Sequence, residues 1–232
     1  GKGDYRGLVF DESGERLGFL TNRDDAAAEK PAWSAYLWKS GLNEARLAAS
    51  VKSSGLPANW WIAENRPLSF SKSGQRLFLG IAPRPKPTPT PTPSPKSAAK
   101  PGAAPSTSPS TTKEEDPPVV VDVWHWKDPA LQPEQLLKAQ SERAQTYLAM
   151  TRADVDNAAI VPLADPDMPT VVVGSNGDAD VALGTSDVPY RLLRSWESPG
   201  FQDVYLVETA TGKRTRIVEK HRGSASLSPG AK

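Results

Sequence analysis

Residues 68–80 read Leu68-Ser69-Phe70-Ser71-Lys72-Ser73-Gly74-Gln75-Arg76-Leu77-Phe78-Leu79-Gly80. Two short apolar runs flank a polar turn that ends in glycine, which predicts two antiparallel strands joined by a tight hairpin. Residues 8–20 repeat the pattern, because Leu, Phe, Ser, Gly, Arg and Leu recur there at the same offsets. The repeated glycine, Gly14 or Gly74, suits a turn that requires a positive φ.

Two looser copies of this hairpin follow in the chain. One comprises residues 171–177 and 181–184, and the other is residues 225–232, with Ala231 in place of the turn glycine. The turn positions are 60 residues apart from Gly14 to Gly74 and 54 apart from Gly177 to Ala231. A strand-rich repeat of this length is typical of a β-propeller blade, which is a sheet of four antiparallel strands.

The second half of each unit also predicts strands. Apolar runs around a turn glycine indicate outer hairpins at residues 35–48 and 203–219. The middle unit predicts a strand at 119–126, one short helix at 132–145 and a hairpin at 146–163. We therefore expect an all-β fold, a partial β-propeller of about three four-stranded blades with one short helix.

Three blades do not close a ring, because propellers typically contain four to eight. The remaining blades are therefore expected outside this chain. The sequence begins with Gly1 rather than methionine, and its last repeat stops within the hairpin. These features predict an excised piece of a longer protein, truncated at the start of a further blade.

A proline-rich tract interrupts the repeats. Residues 83–118 hold 12 of the 23 prolines and contain no aromatic or large aliphatic side chain. Such a segment buries too little apolar surface to offset its ordering entropy, so we expect a disordered, semi-rigid insertion. A ligand for a domain that reads Pro-x-x-Pro motifs is the alternative. The expected organisation is blades in 1–82, the insertion in 83–118 and further blades in 119–232.

Composition narrows the classes of function. The chain has 28 Lys and Arg against 27 Asp and Glu, no cysteine and two histidines. A net charge of +1 provides no field for nucleic acid, and the absence of a long apolar run predicts no membrane insertion. Disulfides, thiolate sites and a cysteine nucleophile are excluded. We expect no metal and no cofactor.

Candidate catalytic motifs are weak. The nearest match to a serine-hydrolase Gly-x-Ser-x-Gly elbow is Gly184-Thr185-Ser186-Asp187-Val188, which lacks the second glycine and is read as a polar hairpin loop. Three Asp-x-Asp pairs fail the calcium-loop pattern and are read as solvated turn residues. These pairs are Asp154/Asp156, Asp165/Asp167 and Asp178/Asp180.

The histidines and tryptophans are assigned structural roles. His125 lies between Trp124 and Trp126 and is read as a hydrogen-bonded strand residue, whereas His221 is placed in a solvated basic loop. The pairs Trp60-Trp61 and Trp124/Trp126 favour packing between blades, with an aromatic recognition surface as the alternative. No catalytic, cofactor-binding or metal-binding residue is assigned.

Several motifs together resemble the propeller region of bacterial prolyl-oligopeptidase-family (S9-type) serine peptidases. The resemblance covers nearly all the chain outside the proline-rich tract. The element at residues 68–74 is shared with TolB-like propellers and is less specific. The other matching stretches are residues 122–128 with 131–132, 182–191, 195–196, 203–207, 211–212 and 227–230.

The resemblance implies a role that is not itself catalytic. In that family, an α/β-hydrolase domain C-terminal to the propeller carries the serine, aspartate and histidine, and the propeller restricts which peptides reach it. This chain would then gate peptide substrate and contact the hydrolase domain of the same parent chain, in the periplasm or outside the cell. The alternative is a TolB-like, non-enzymatic propeller that binds a protein partner.

Overall fold

The computed structural model describes residues 2–28, 30–84, 125, 128, 130–195 and 197–228. Within them the chain forms three antiparallel sheets, which belong to one compact unit. In the first sheet, the four strands lie side by side in chain order. They are β1 (Tyr5–Phe10), β2 (Arg16–Thr21), β3 (Ser34–Lys39) and β4 (Arg46–Ala49).

The second sheet repeats this arrangement with an interrupted first strand. Both β5 (Trp60–Ile62) and β6 (Ser69–Phe70) pair with β7 (Arg76–Pro83), so the sheet has five strands rather than the predicted four. It continues with β8 (Tyr147–Arg152) and β9 (Val161–Pro162). The residues between β5 and β6 leave the ladder, which divides one edge strand into two short pieces.

The third sheet again has four strands in chain order. They are β10 (Thr170–Val173), β11 (Val181–Ser186), β12 (Phe201–Glu208) and β13 (Arg214–Arg222). Short turns join the strands of most hairpins, so neighbours in sequence become neighbours in space. The predicted all-β class, built from antiparallel sheets, is confirmed.

The described part contains two helices, although one was predicted. The expected helix is α1 (Gln132–Arg143), which begins with a proline in its first turn and has a Glu134–Lys138 ion pair. The second is a 3₁₀ helix at Val188–Ser195. Its local signal is Asp187, whose carboxylate accepts hydrogen bonds from Arg191 at 3.1 Å and Arg194 at 2.9 Å.

One apolar core joins the three sheets. It includes the fully buried Leu20 of β2, Leu77 and Ile81 of β7, Ala149 of β8 and Val207 of β12. Burial of these side chains provides the main stabilisation, about 1.5–3 kcal/mol for each large aliphatic residue. The second sheet lies between the other two and is covered on both faces.

Several predicted features lie outside the described residues. These include nearly all of the strand at 119–126, the tract from residue 85 onwards and the end of the last repeat, from residue 229. His125 is described singly and is not in a strand. Among the described residues, no helix is long and apolar enough to span a membrane.

Candidate functional site

The repeated hairpins form the same turn. In the first, the backbone N–H of Gly14 donates to Asp11 O at 3.0 Å, and in the second Gly74 N–H donates to Ser71 O at 2.9 Å. The side-chain oxygen of Asp11 or Ser71 then accepts from the backbone N–H of Arg16 or Arg76, five residues on. Both turn glycines have positive φ. The two hairpins therefore share their hydrogen bonds as well as their sequence pattern.

The repeated arginine links each sheet to the next. Arg16 donates from its guanidinium to the carbonyl of Gly74 in the second sheet. At the same offset, Arg76 donates to the carbonyl of Gly177 in the third sheet at 3.3 Å. We call these two contacts the turn linkage. They explain why arginine recurs two residues after the turn glycine.

The second turn linkage is reinforced by further polar contacts. Arg76 also donates to Ala179 O at 2.5 Å and to Thr209 Oγ1 at 3.1 Å, and it pairs with Asp180 at 3.0 Å. The Arg76 side chain is only 15% exposed, so its bonds to Ala179 and Thr209 are largely shielded from water, whereas Asp180 is 94% exposed and its ion pair lies at the surface. Hydrogen bonds from a charged donor such as this guanidinium are stronger than those between neutral groups.

Asp178 joins the same interface from the third sheet. Its carboxylate accepts from Ser73 N–H at 2.9 Å and from Ser73 Oγ at 2.5 Å. Burial acts to raise the pKa of Asp178, but the hydrogen bonds from Ser73 and Ser71 outweigh it, so the pKa lies below its ordinary value. The carboxylate of Asp178 is therefore ionised at neutral pH at the interface between the second and third sheets.

The first sheet has an apolar outer face. Gly18 of β2 contacts Phe70 in the second sheet, so its neighbours Leu17 and Phe19 point to the opposite side. Leu17 pairs with Phe10, which is 57% exposed, and the ring of Phe19 stacks on Tyr36 at 5.9 Å. No described sheet covers this face.

The third sheet also has apolar side chains on the side that faces away from the second sheet. Gly184 of β11 faces Met168 on the side of the second sheet, whereas the adjacent Leu183 pairs with Val172 on the other side. Val172 is 56% exposed, whereas Leu183 is only 6% exposed. The three described sheets therefore bury two interfaces and leave exposed apolar side chains on the outer side of each end sheet, and we call these two outer sides the open faces.

A buried carboxylate organises one end of the third sheet. Asp203 is only 2% exposed and accepts from Tyr190 Oη at 2.6 Å and from Lys220 N–H at 2.9 Å. Burial acts to raise the pKa of Asp203, but these bonds, with Arg216 nearby, hold it below its ordinary value. The bond to Asp203 raises the pKa of Tyr190. All of these donors are satisfied internally, so the cluster is structural.

An open cleft of about 190 Å³ lies between the β3–β4 hairpin and the loop after β8. Its charged lining includes Arg46, which pairs with Asp156 at 3.0 Å and donates to Val155 O at 3.1 Å. Asp154 pairs with Arg152. Cations and carboxylates are interspersed and mostly paired with one another, so the cleft has no dominant charge for a ligand.

Ser186 is not arranged as a nucleophile. Its hydroxyl donates to Asp167 O at 2.5 Å, and the residue is 2% exposed. The predicted polar loop is wrong in detail, because residues 184–186 belong to β11 and residue 188 begins the 3₁₀ helix. The proton of this hydroxyl is donated to a backbone carbonyl, which does not act as a general base.

The Asp-x-Asp residues are partly solvated, as predicted, since the side chains of Asp156 and Asp180 are 82% and 94% exposed. They also form ion pairs: Asp165 pairs with Arg214 at 2.8 Å, Asp180 with Arg76 and Asp156 with Arg46. Each arginine comes from a different sheet or hairpin than the acid it binds, so sequence spacing does not reveal the pairing. No group of three His, Cys, Asp or Glu side chains able to hold a metal occurs within the described ranges.

The remaining predicted residues have varied positions. His221 lies in strand β13, opposite Gln202, rather than in a loop, because β13 extends to Arg222. Trp60 packs its ring against Tyr147 at 5.4 Å, inside the second sheet rather than between sheets. Trp124 and Trp126 lie outside the described residues.

Compared with known proteins, the chain matches no model of a protein family. It also has no significant match among curated proteins.

Proposed function

We propose that the chain is a non-catalytic segment of a β-propeller in a prolyl-oligopeptidase-like serine peptidase. In this role it gates the access of peptides to a hydrolase domain that lies elsewhere in a longer protein. The observation that carries the proposal is the turn linkage, which joins three successive antiparallel sheets, two of four strands and one of five, through the same kind of arginine contact. Such repetition is typical of blades arranged around an axis.

The open faces support the same proposal. The exposed side chains of Phe10 on one face and Val172 on the other are apolar, as are the side chains already buried between the described sheets. Large exposed apolar patches usually mark interaction surfaces. Because the interfaces on both sides of the second sheet are sheet-on-sheet contacts, we assign further sheets of the same propeller to these two faces.

The engagement of the polar side chains supports a non-catalytic role. The Ser186 hydroxyl donates to the carbonyl of Asp167, and the carboxylates Asp165, Asp178 and Asp203 are engaged in structural pairs. These described groups do not form an acid–base or nucleophilic set. The chemistry is therefore assigned to the proposed hydrolase domain, and the chain acts through packing and access.

The test is labelling with a fluorophosphonate probe, which reacts with activated serines. We expect the longer parent protein to be labelled and this chain alone to remain unlabelled. Hydrolysis of a proline-containing peptide by the parent should be lost on the same treatment. A parent that is neither labelled nor active would overturn the peptidase assignment in favour of a TolB-like binding module.

A further inference from the structure

Arg66 differs from the other partly buried arginines of the described chain. It lies between β5 and β6, where the first strand of the second sheet is interrupted. Arg16, Arg76 and Arg214 all reach carbonyls or carboxylates of a neighbouring sheet. Arg66 makes no hydrogen bond or ion pair to any described residue, and burial lowers the pKa of its guanidinium.

The aliphatic part of the Arg66 side chain lies over Gly80 of β7. A Cβ atom built on Gly80 of β7 would lie 2.5 Å from Arg66 Cβ and 3.3 Å from Arg66 Cδ. Gly80 has ordinary strand geometry, so its glycine is explained by this close approach and not by a turn. The missing side chain at residue 80 admits the aliphatic part of Arg66 onto the sheet.

A second donor lies beside this position. The same point above Gly80 is 3.4 Å from Thr146 Cβ, and the Thr146 hydroxyl also has no partner among the described residues. Within the described ranges, no fully buried side-chain nitrogen or oxygen lacks a hydrogen bond. The unpartnered donors of Arg66 and Thr146 are therefore accessible from solvent.

The carboxylate nearest to Arg66 in the sequence does not pair with its guanidinium. Glu64, two residues before Arg66, is paired with Arg6 of the first sheet at 2.7 Å. A partly buried guanidinium without a protein partner costs folding free energy, because burial removes part of its hydration and no described protein group replaces the lost water. A purely structural arginine would be expected to recover that cost through a partner.

We propose that Arg66, assisted by Thr146, binds a carboxylate group. The planar guanidinium fork matches the two oxygens of a carboxylate, and Thr146, whose Cβ lies near the stem of Arg66, is the proposed source of a third donor. Because β5 and β6 form an edge of the second sheet, the ligand approaches without displacing a strand. That the carboxylate belongs to a peptide rests on the proposed function, whereas the carboxylate site itself does not.

The experiment is an NMR titration of the chain with sodium acetate, with sodium chloride at equal ionic strength as the reference. The Arg66 Nε–H resonance should shift with acetate and not with chloride. Arg66→Met should weaken acetate binding at least tenfold, roughly the effect of losing a charge-assisted bidentate contact. Arg143→Met is the matched control, because Arg143 is exposed and unpaired, and it should bind acetate as the wild type does.

Thermal unfolding provides an independent readout. Without ligand, Arg66→Met should raise the melting temperature by about 2–4 °C, because a partly buried charge without a protein partner is removed while an apolar side chain of similar length is kept. A lower melting temperature together with unchanged acetate binding would show a structural role. A wild-type Arg66 resonance that does not respond to acetate, or responds only to inorganic phosphate, would overturn the carboxylate site.

Peptides distinguish the source of the carboxylate. A short peptide blocked at both ends and free of acidic residues should not shift the Arg66 resonance. The same peptide with a free C-terminus, or with one internal glutamate, identifies a terminal or a side-chain carboxylate. Failure of both peptides, with acetate still bound, would leave the site standing and overturn only its peptide ligand. This result is separate from fluorophosphonate labelling, which tests the hydrolase assignment.

Discussion

Asp203 shows how a single residue can organise a sheet end. Its carboxylate is almost completely buried and accepts from the Tyr190 hydroxyl and from the backbone N–H of Lys220. Lys220 has a φ of 51°, and the β12–β13 ladder shifts register at this point. The hydrogen bonds to Asp203 thus hold an irregular strand pair in place.

Replacement of this carboxylate should destabilise the protein. Asp203→Asn is expected to lower the free energy of unfolding by about 2–3 kcal/mol, because the amide loses the charge and one acceptor while the donors remain buried. Urea unfolding at neutral pH measures the loss. Asp180→Asn is the control, since that side chain is 94% exposed, and its loss should be below about 1 kcal/mol.

The difference in unfolding free energy between the wild type and Asp203→Asn should depend on pH. The native pKa of Asp203 is lowered, so its stabilisation is complete above the unfolded pKa of about 3.9 and is lost as the pH falls through the native value. The stability difference between wild type and Asp203→Asn should therefore narrow below about pH 4. A difference that is constant down to acid pH would contradict this account.

The outer hairpins illustrate how context decides the importance of a turn. Gly41 lies between β3 and β4, and Gly212 lies between β12 and β13, both with positive φ. A Cβ on Gly41 would meet nothing within 4 Å, but one on Gly212 would lie 2.5 Å from the Pro162 carbonyl oxygen. The turn in the third sheet therefore packs against the second sheet, whereas the turn in the first sheet is free.

Alanine at the two glycines should have different costs. Gly41→Ala should lower the free energy of unfolding by about 1–2 kcal/mol, the cost of a left-handed residue with a side chain. Gly212→Ala should cost about 2–5 kcal/mol, because a clash with rigid backbone is added. Chemical unfolding of both variants tests this, and equal losses would contradict the contact with Pro162.

At the scale of the whole molecule, the open faces are the surfaces most suited to self-association. Phe10 on the first sheet and Val172 on the third are both more than half exposed, at opposite ends of the three described sheets. Leu137 is 86% exposed and belongs to helix α1, not to a sheet. Exposed sheet faces with this apolar character favour association when their proposed covering sheets are missing.

Self-association of the chain is therefore expected. Sedimentation velocity should show species larger than the 24.9 kDa monomer, in proportions that increase with concentration. The double variant Phe10→Lys/Val172→Lys should shift the population toward monomer with little loss of stability, since both side chains are exposed. Leu137→Lys, the matched control, should associate like the wild type. A monomeric wild type at all concentrations would contradict this prediction.

The all-β class, the hairpin positions and most of the strands could be predicted from the sequence, because they depend on local patterns. The alternation around Gly14 and Gly74, for example, specifies two strands and the turn between them without distant contacts. The 3₁₀ helix was missed because its signal, Asp187 with Arg191 and Arg194, is short and resembles a polar loop. The recurrence of arginine after the turn glycine could be seen in the sequence, but the carbonyl to which each arginine donates could not.

Tertiary structure alone decided which groups meet across sheets. Arg76 and Gly177 are about a hundred residues apart, and the interval includes the proline-rich tract, so no spacing rule connects them. The pairing of the Asp-x-Asp residues and the isolation of Arg66 were likewise invisible in the sequence, because a charge is paired or unpaired only once the sheets are stacked. Local hydrogen bonding and side-chain alternation determined the strands, whereas the burial of one sheet face on another determined their partners.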